Sequence, residues 1–314
     1  SVDGLDLAEI TQGKVRRVME HRVLSYWSLN IDRVYSVPHM VRPGETMSST
    51  AYNEYVGGKG LNQSIALARS GMKVYHAGAV GSDGEVLLET LKEDQISIEF
   101  VKRTQEKSGH AIIQVDDSGQ NSILLFSGAN FSILEEDVEG VFDHFASGDI
   151  LLIQNEINCL KQIIDLADKK GMRIFFNPSP FNEDIFNLPL EKIDWFLLNE
   201  IEAQQITQME VRDDDLLVSI LKEHFPQANF VITLGEQGSM CSMGDKLYRQ
   251  SIYPTEVVDT TGAGDTFTGY FISTLLETGA LDKALDVASK ASSISVSRKG
   301  ASSSIPYKEE VEND

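Results

Sequence analysis

The chain has 314 residues, 41% of them apolar and 24% charged, the composition of an ordinary soluble globular protein with a sizeable core. A net charge of −21 argues against sequence-independent binding of nucleic acid or anionic membrane, which needs basic patches, although local donors and a metal can still hold an anionic small molecule. Apolar runs stay far short of the ~20 residues that span a bilayer, and no charged-then-apolar leader opens the sequence. The two cysteines, Cys159 and Cys241, have no zinc-like spacing, so both are expected to be inert thiols in a reducing cytoplasm.

In chain order, residues 1–20 lack a clean pattern and read as an N-terminal extension, which leaves 21–314 as a single domain. HRVLSYWSLN (21–30) reads as a strand, and KGLNQSIALARSG (59–71) as a helix closing on Gly71. A strand over 72–81 and a helix over 85–94 follow. Further along, strands are expected at 149–154, 172–180, 193–199 and 229–235, and helices at 159–171, 200–208 and 214–225. Val257-Val258 reads as a strand end before a helix that opens near Gly262, and 281–296 is a last helix. Alternating buried strands and amphipathic helices predict an α/β fold, a doubly wound, mostly parallel sheet flanked by helices. Two segments, 33–58 and 108–130, break the rhythm and read as β hairpins. Together, over about 33–57 and 108–127, they predict a small inserted β-sheet lid above the carboxyl edge of the main sheet, where such folds bind ligands.

The stretch VVDTTGAGDTFTGYF (257–271) sets one carboxylate, Asp265, directly after Gly262-Ala263-Gly264 at a helix start. Bare backbone amides there make an anion site. An acid beside an anion is repulsive unless its task is to take a proton, which is the requirement of phosphoryl transfer to a hydroxyl. The plain alternative is a first-turn acid that favours the helix dipole. In YVGGKGLNQS (55–64), Gly57, Gly58 and Gly60 allow close backbone approach, while Lys59, Asn62 and Gln63 supply a charge and amides suited to a polyhydroxylated ligand or phosphate. The pattern is neither a Walker A loop nor a dinucleotide fingerprint, because Gln63 stands where the third glycine belongs. Asn30 and Asp32, two apart on one strand face, and Glu156, past a buried strand, suit sugar hydroxyls. Asn199 and Glu202 share one face of a helix start and can hold Mg²⁺ through waters. Thr233, Gly235 and Gly238 form a loop that can lie against a nucleotide. Each of these also has a structural reading as a cap or turn. No HExxH or GxSxG pattern is present.

In this order, GGKGLNQS (with Gly71 and Gly81 at the later spacing) and DTTGAGDTFTG resemble the ribokinase-like (PfkB) carbohydrate kinase family, over about residues 22–308. The resemblance implies an ATP-dependent sugar kinase with Asp265 as base and Gly262, Ala263 and Gly264 as anion hole. It implies that Asn30, Asp32, Gly57, Gly58, Lys59, Asn62 and Glu156 hold the sugar, with D-ribose favoured over fructose. Asn199, Thr233, Gly235, Gly238 and Gly264 fall to the nucleotide, and Asn199 with Glu202 to Mg²⁺. A potassium-like ion is implied near Asp259, Thr261, Ser295, Arg298, Gly300 and Ser304, and a homodimer through the lid. Leu61 and Ser64 stand where the family's glycine motif commonly has alanine, and Tyr270 where a small residue is usual. Fructose, a sugar phosphate or a nucleoside stays open as substrate. A non-catalytic sugar-binding module is the rival of another class, and an NAD oxidoreductase lacks its glycine signature.

Overall fold

The structure, a computed structural model, describes residues 21–313; the expected extension over 1–20 lies outside them. The strands are β1 (Arg22–Tyr26), β2 (Asn30–Ser36), β3 (Ala51–Gly57), β4 (Lys73–Val80), β5 (Ser97–Arg103), β6 (Gly109–Val115), β7 (Asn121–Phe126), β8 (Ile150–Ile153), β9 (Arg173–Phe176), β10 (Trp195–Asn199), β11 (Asn229–Thr233), β12 (Ser239–Met243) and β13 (Lys246–Gln250). The α-helices are α1 (Lys59–Arg69), α2 (Glu85–Glu93), α3 (Glu135–Phe142), α4 (Leu160–Lys170), α5 (Glu200–Thr207), α6 (Asp214–His224), α7 (Ala263–Thr278), α8 (Leu281–Val296) and α9 (Lys308–Glu312).

Nine strands form the main sheet in the order β13-β12-β11-β10-β9-β8-β1-β4-β5. From β11 to β5 neighbours run parallel, and the β12-β13 hairpin closes the far edge antiparallel. The central strands are mostly apolar, and β8 is so at every position, because both faces are covered. In β8, Leu151 and Ile153 join a core with α3, α4, α5 and α6, while Ile150 and Leu152 join a second core with α1, α2, α7 and α8. This is the doubly wound arrangement that the alternation predicts. Chain order reverses between β1 and β8, the switch point where a crevice opens beyond the carboxyl ends of the strands.

Helices α1 and α7 cross at glycine distance. A Cβ on Gly269 would sit 2.5 Å from the Ala66 Cβ and 2.8 Å from backbone, so only glycine lets the two axes approach this closely. That approach brings the first turns of both helices to one place above the sheet.

A second sheet of four strands, β3-β2-β6-β7, stands apart from the first. Its outer pairs are antiparallel, and β2 pairs β6 in parallel. The expected elements differ from the structure at five places. HRVLSYWSLN is not one strand: the chain leaves the main sheet after Tyr26, with Trp27 N–H donating to Ala77 O at 3.0 Å, and enters the small sheet at Asn30. No glycine or proline marks that exit, only Ser28. Asn30 and Asp32 therefore sit on the small sheet, not at a main-sheet strand end. Val257-Val258 is not a strand end either. The main sheet ends at β13, and this segment runs exposed, tied by the N–H groups of Val258 and Asp259 to Val296 O at the end of α8. The half-buried β5, the β12-β13 hairpin and α3 with its internal Gly140 carry weak periodicity and were not anticipated.

Candidate active site

Gly262 caps α7 in a left-handed conformation, φ +81°, which glycine adopts without penalty. The Ala263 N–H turns back to Thr260 O at 3.3 Å, and the Gly264 and Asp265 N–H groups belong to the first turn, which has no intrahelical acceptors. A Cβ on Gly264 would meet nothing within 4 Å, so open space lies over this backbone. Asp265 is buried, and its carboxylate accepts from Asn62 Nδ2 at 3.3 Å and from Gln63 Nε2 at 3.1 Å. Burial pushes the Asp265 carboxyl above its ordinary pKa, against the Gln63 hydrogen bond, the Lys59 charge and the Asn62 hydrogen bond. A carboxylate so raised is a better proton acceptor. The far oxygens of Asn62 and Gln63 are buried with no protein partner, and such groups call for one.

Around Asp265 stand the residues expected to meet hydroxyls. Asp32 lies over Gly57: a Cβ there would be 2.0 Å from Asp32 Oδ2. Burial, with the Glu156 charge adding, pushes the Asp32 carboxyl up to about 6. Glu156, beyond the end of β8, accepts from Ser28 Oγ, and burial raises its pKa against that bond. Asn30 accepts from Asn130 Nδ2 at 2.9 Å, and Asn130 in turn accepts the Leu29 N–H at 3.0 Å. Lys59 Nζ donates to Ser179 Oγ at 2.9 Å. Gly58, φ +96°, turns the chain from β3 into α1.

A cavity of about 100 Å³ is lined by Lys59, Gln63, Asn177, Asn199, Glu202, Thr233, Gly264 and Asp265, among others. It meets a larger cleft of about 440 Å³ at Thr233, Gly264 and Phe267. Gly235 and Gly238 line that cleft with Ile252, Val257 and Val296, an apolar slot between the β11-β12 turn and α8. Gly238, φ +91°, lies against the Gln250 carbonyl, where a Cβ would be 2.0 Å away. The exposed Val257, expected at a strand end, lines this slot.

Asn199 and Glu202 form a capping box on α5: Glu202 N–H donates to Asn199 Oδ1 at 2.7 Å and Asn199 N–H to Glu202 Oε1 at 3.0 Å. The cap reading is thus real, yet both residues also line the cavity. With one Glu202 oxygen committed and a single carboxylate on this wall, the donor set fits Mg²⁺ held mainly by water and phosphate. Among the described residues no group of three His, Cys, Asp or Glu gathers as an all-protein metal cage.

Asp259 accepts Thr261 N–H and Gly300 N–H, each at 2.9 Å. Burial would raise its pKa, but these bonds prevail and hold it below the ordinary value. Ser295 and Ser304 bond each other at 2.8 Å, both fully buried. The Arg298 guanidinium pairs with Glu310 at 2.6 Å, so only its backbone remains on this loop. One carboxylate among backbone and hydroxyl oxygens fits a monovalent cation.

The departures from the family motif have structural accounts. Ser64 bonds Ser25 and His76, tying α1 to β1 and β4, while the Tyr270 hydroxyl donates to Pro306 O at 2.7 Å. Leu61 is core. Sequence reasoning missed Asn130 and Ser28, whose contacts are long-range. Asn177 and Ser179 fall inside the strand expected over 172–180, but β9 ends at Phe176, so both lie past the strand end, a position that the overlong strand hid.

A model of the "pfkB family carbohydrate kinase" group matches residues 20–308. The chain is 36% identical over 294 residues to a ribokinase of Haemophilus influenzae, covering 90% of this chain and 95% of that protein. Its structure is similar to that of Arabidopsis thaliana ribokinase complexed with ribose and ATP, with a TM-score of 0.84, 30% identity, and 93% and 97% of the two chains covered. It is also similar to Cryptococcus neoformans ribokinase in complex with ADP, with a TM-score of 0.82, 31% identity, and 94% and 99% covered. Fold, motif placement and kinship agree: the chain belongs to the pfkB family of carbohydrate kinases.

Proposed function

We propose that the chain transfers the γ-phosphoryl group of ATP to the primary hydroxyl of D-ribose, giving D-ribose 5-phosphate. The observation that carries this reading is the buried Asp265 carboxylate, held by Asn62 and Gln63 on a cavity that opens into the larger apolar cleft. Ribose lies on the Asp32, Glu156 and Asn30 side, and its hydroxyls satisfy the orphaned Asn62 and Gln63 oxygens. The adenine end of ATP occupies the slot by Gly235 and Gly238. Asp265 takes the hydroxyl proton as the oxygen attacks, and the first-turn amides over Gly262–Gly264 stabilise charge on the equatorial oxygens. Mg²⁺, when bound, neutralises phosphate charge; Asn199 and Glu202 hold it through water. Asp259 and the 295–304 loop bind K⁺ behind the anion hole. The small sheet acts as a lid that excludes water. The reaction belongs in the cytoplasm, where the free thiols Cys159 and Cys241 stay reduced.

The test is a substrate panel of D-ribose, D-fructose, fructose 6-phosphate and inosine, with ADP formation followed directly by chromatography. D-Ribose is expected to give a kcat/KM at least ~100-fold above the others, because a site built for specific hydroxyls leaves its own groups unpaired with the wrong ligand. Turnover should be lost with EDTA and reduced when Na⁺ replaces K⁺. Preference for another acceptor would overturn the assignment of ribose.

The raised Asp32 pKa gives a pH prediction. Ionised Asp32 accepts sugar hydroxyls, and the protonated acid accepts them poorly. The KM for ribose therefore rises as pH falls through about 6, where Asp32 takes its proton. Asp32→Asn should have a high KM that no longer changes over this range. A wild-type KM flat from pH 7.5 to 5 contradicts the role.

The Asp32 face of the small sheet continues outward through Val34, Ile113, Ile123 and Leu125, which the register sets side by side. Ile123 and Leu125 are 55% and 60% exposed on the edge strand β7. A second copy covers this face in a homodimer, as apolar edges are otherwise liable to aggregate. Sedimentation velocity should show a dimer for the wild type and a monomer for Leu125→Asp. A monomeric wild type at micromolar concentration removes the dimer.

A further inference from the structure

Arg69, at the end of α1, lies two turns beyond Asn62 on the same helix face. Its side chain is 13% exposed and makes contacts on three sides. Asp94 braces it with a two-point pair, Nε to Oδ1 at 2.9 Å and Nη2 to Oδ2 at 3.2 Å. Its Nη1 donates to Ser302 O and to Ile305 O, both at 2.8 Å. The guanidinium also stacks on the Tyr307 ring, 4.6 Å from the centroid. Arg69 thus holds two carbonyls of the loop that returns from α8.

That loop stands directly behind the start of α7. The Ala301 carbonyl would be 3.3 Å from a Cβ on Gly262, the helix cap. Gly300 N–H grips Asp259, and Ser304 closes the loop on Ala301 O at 3.0 Å through its N–H. A contiguous set of contacts therefore runs from α1, which holds Asp265 through Asn62 and Gln63, through Arg69 and the loop to the Gly262 cap. We propose that Arg69 is a positioning residue for phosphoryl transfer: braced by Asp94, it fixes the 300–305 loop against Gly262 and so sets the direction of the first-turn amides of α7. Lysine cannot replace it, since a point charge does not span two carbonyls, a carboxylate and a ring face together. The proposal rests on the anion-hole reading of Gly262–Gly264.

The experiment compares Arg69→Ala, Arg69→Lys and Asp94→Asn with wild type, by steady-state kinetics and by hydrogen exchange of the ligand-free proteins. For Arg69→Ala, kcat should fall ~10- to 100-fold, as misplacement of a catalytic group does. The KM values for sugar and ATP should stay within about threefold, because the groups that bind them are untouched. Arg69→Lys recovers only part of kcat, and added guanidinium at non-denaturing concentration restores part of the Arg69→Ala loss. Exchange should quicken together in peptides covering 298–307 and 259–268, and not in β8 or β10. Should Arg69→Ala fail to fold, Asp94→Asn carries the test, with the same pattern and a ~3- to 10-fold loss of kcat. A kcat within about twofold of wild type, or faster exchange confined to 298–307, overturns the proposal. Exchange needs no substrate, so an enzyme that prefers another sugar, or none, would still report whether Arg69 sets the helix start.

Discussion

Asp265→Asn should lower turnover by at least ~100-fold, the low end for loss of a general base, while ATP affinity measured by calorimetry stays close to wild type. The substitution keeps the size of the side chain and one acceptor oxygen for Asn62 or Gln63, so the local packing of the buried residue survives. The first-turn amides are backbone and are unaffected. What is lost is the basic oxygen that burial has made a stronger proton acceptor. The competing view, a first-turn acid that merely favours the helix dipole, predicts something else: a stability loss of at most about 2 kcal/mol and unchanged turnover. The two outcomes are well separated, and unchanged turnover would remove Asp265 from the chemistry.

Gly57→Ala should raise the KM for ribose by about 10- to 100-fold, with little change in thermal stability. An added Cβ would fall 2.0 Å from Asp32 Oδ2 and 2.6 Å from its Cγ, so the Asp32 carboxylate must swing away. The side chain is short and can rotate, which spares the fold and costs the site. A hydrogen bond to a charged group contributes roughly 1.5–3 kcal/mol, which is the stated span in affinity. Asp32→Asn combined with Gly57→Ala should add little to either change alone, since both remove one contact. A KM within about twofold of wild type for Gly57→Ala would show that Asp32 does not touch the sugar.

The fold was legible in the chain because its central strands are mostly apolar runs and its helices are periodic. β8, β9, β10 and β11 appear within a few residues of the expected places, as do α4, α5 and α6. Elements that do not follow those two patterns were hidden. The β1 to β2 exit has no glycine or proline, and the edge strand β5 mixes Glu99, Lys102 and Arg103 into an apolar run. The site was legible where a motif is local, as at Gly262–Asp265 and Gly57–Asn62. It was not legible where the contact is distant in sequence: Asn130 on Asn30, Ser179 on Lys59, and Arg69 on Ser302. The Asn199–Glu202 pair could be read as a cap or as a metal wall. The structure shows the cap and also sets both residues on the cavity.

In the proposed mechanism a carboxylate and a set of bare amides act on one migrating phosphoryl group. A crystal of the protein with D-ribose, Mg²⁺ and a non-hydrolysable ATP analogue measures this directly. The ribose primary hydroxyl should lie within about 3 Å of an Asp265 carboxylate oxygen, with the γ-phosphate facing the Gly264 and Asp265 N–H groups beyond it. Both ligands bound elsewhere, with Asp265 facing neither, would contradict the mechanism outright.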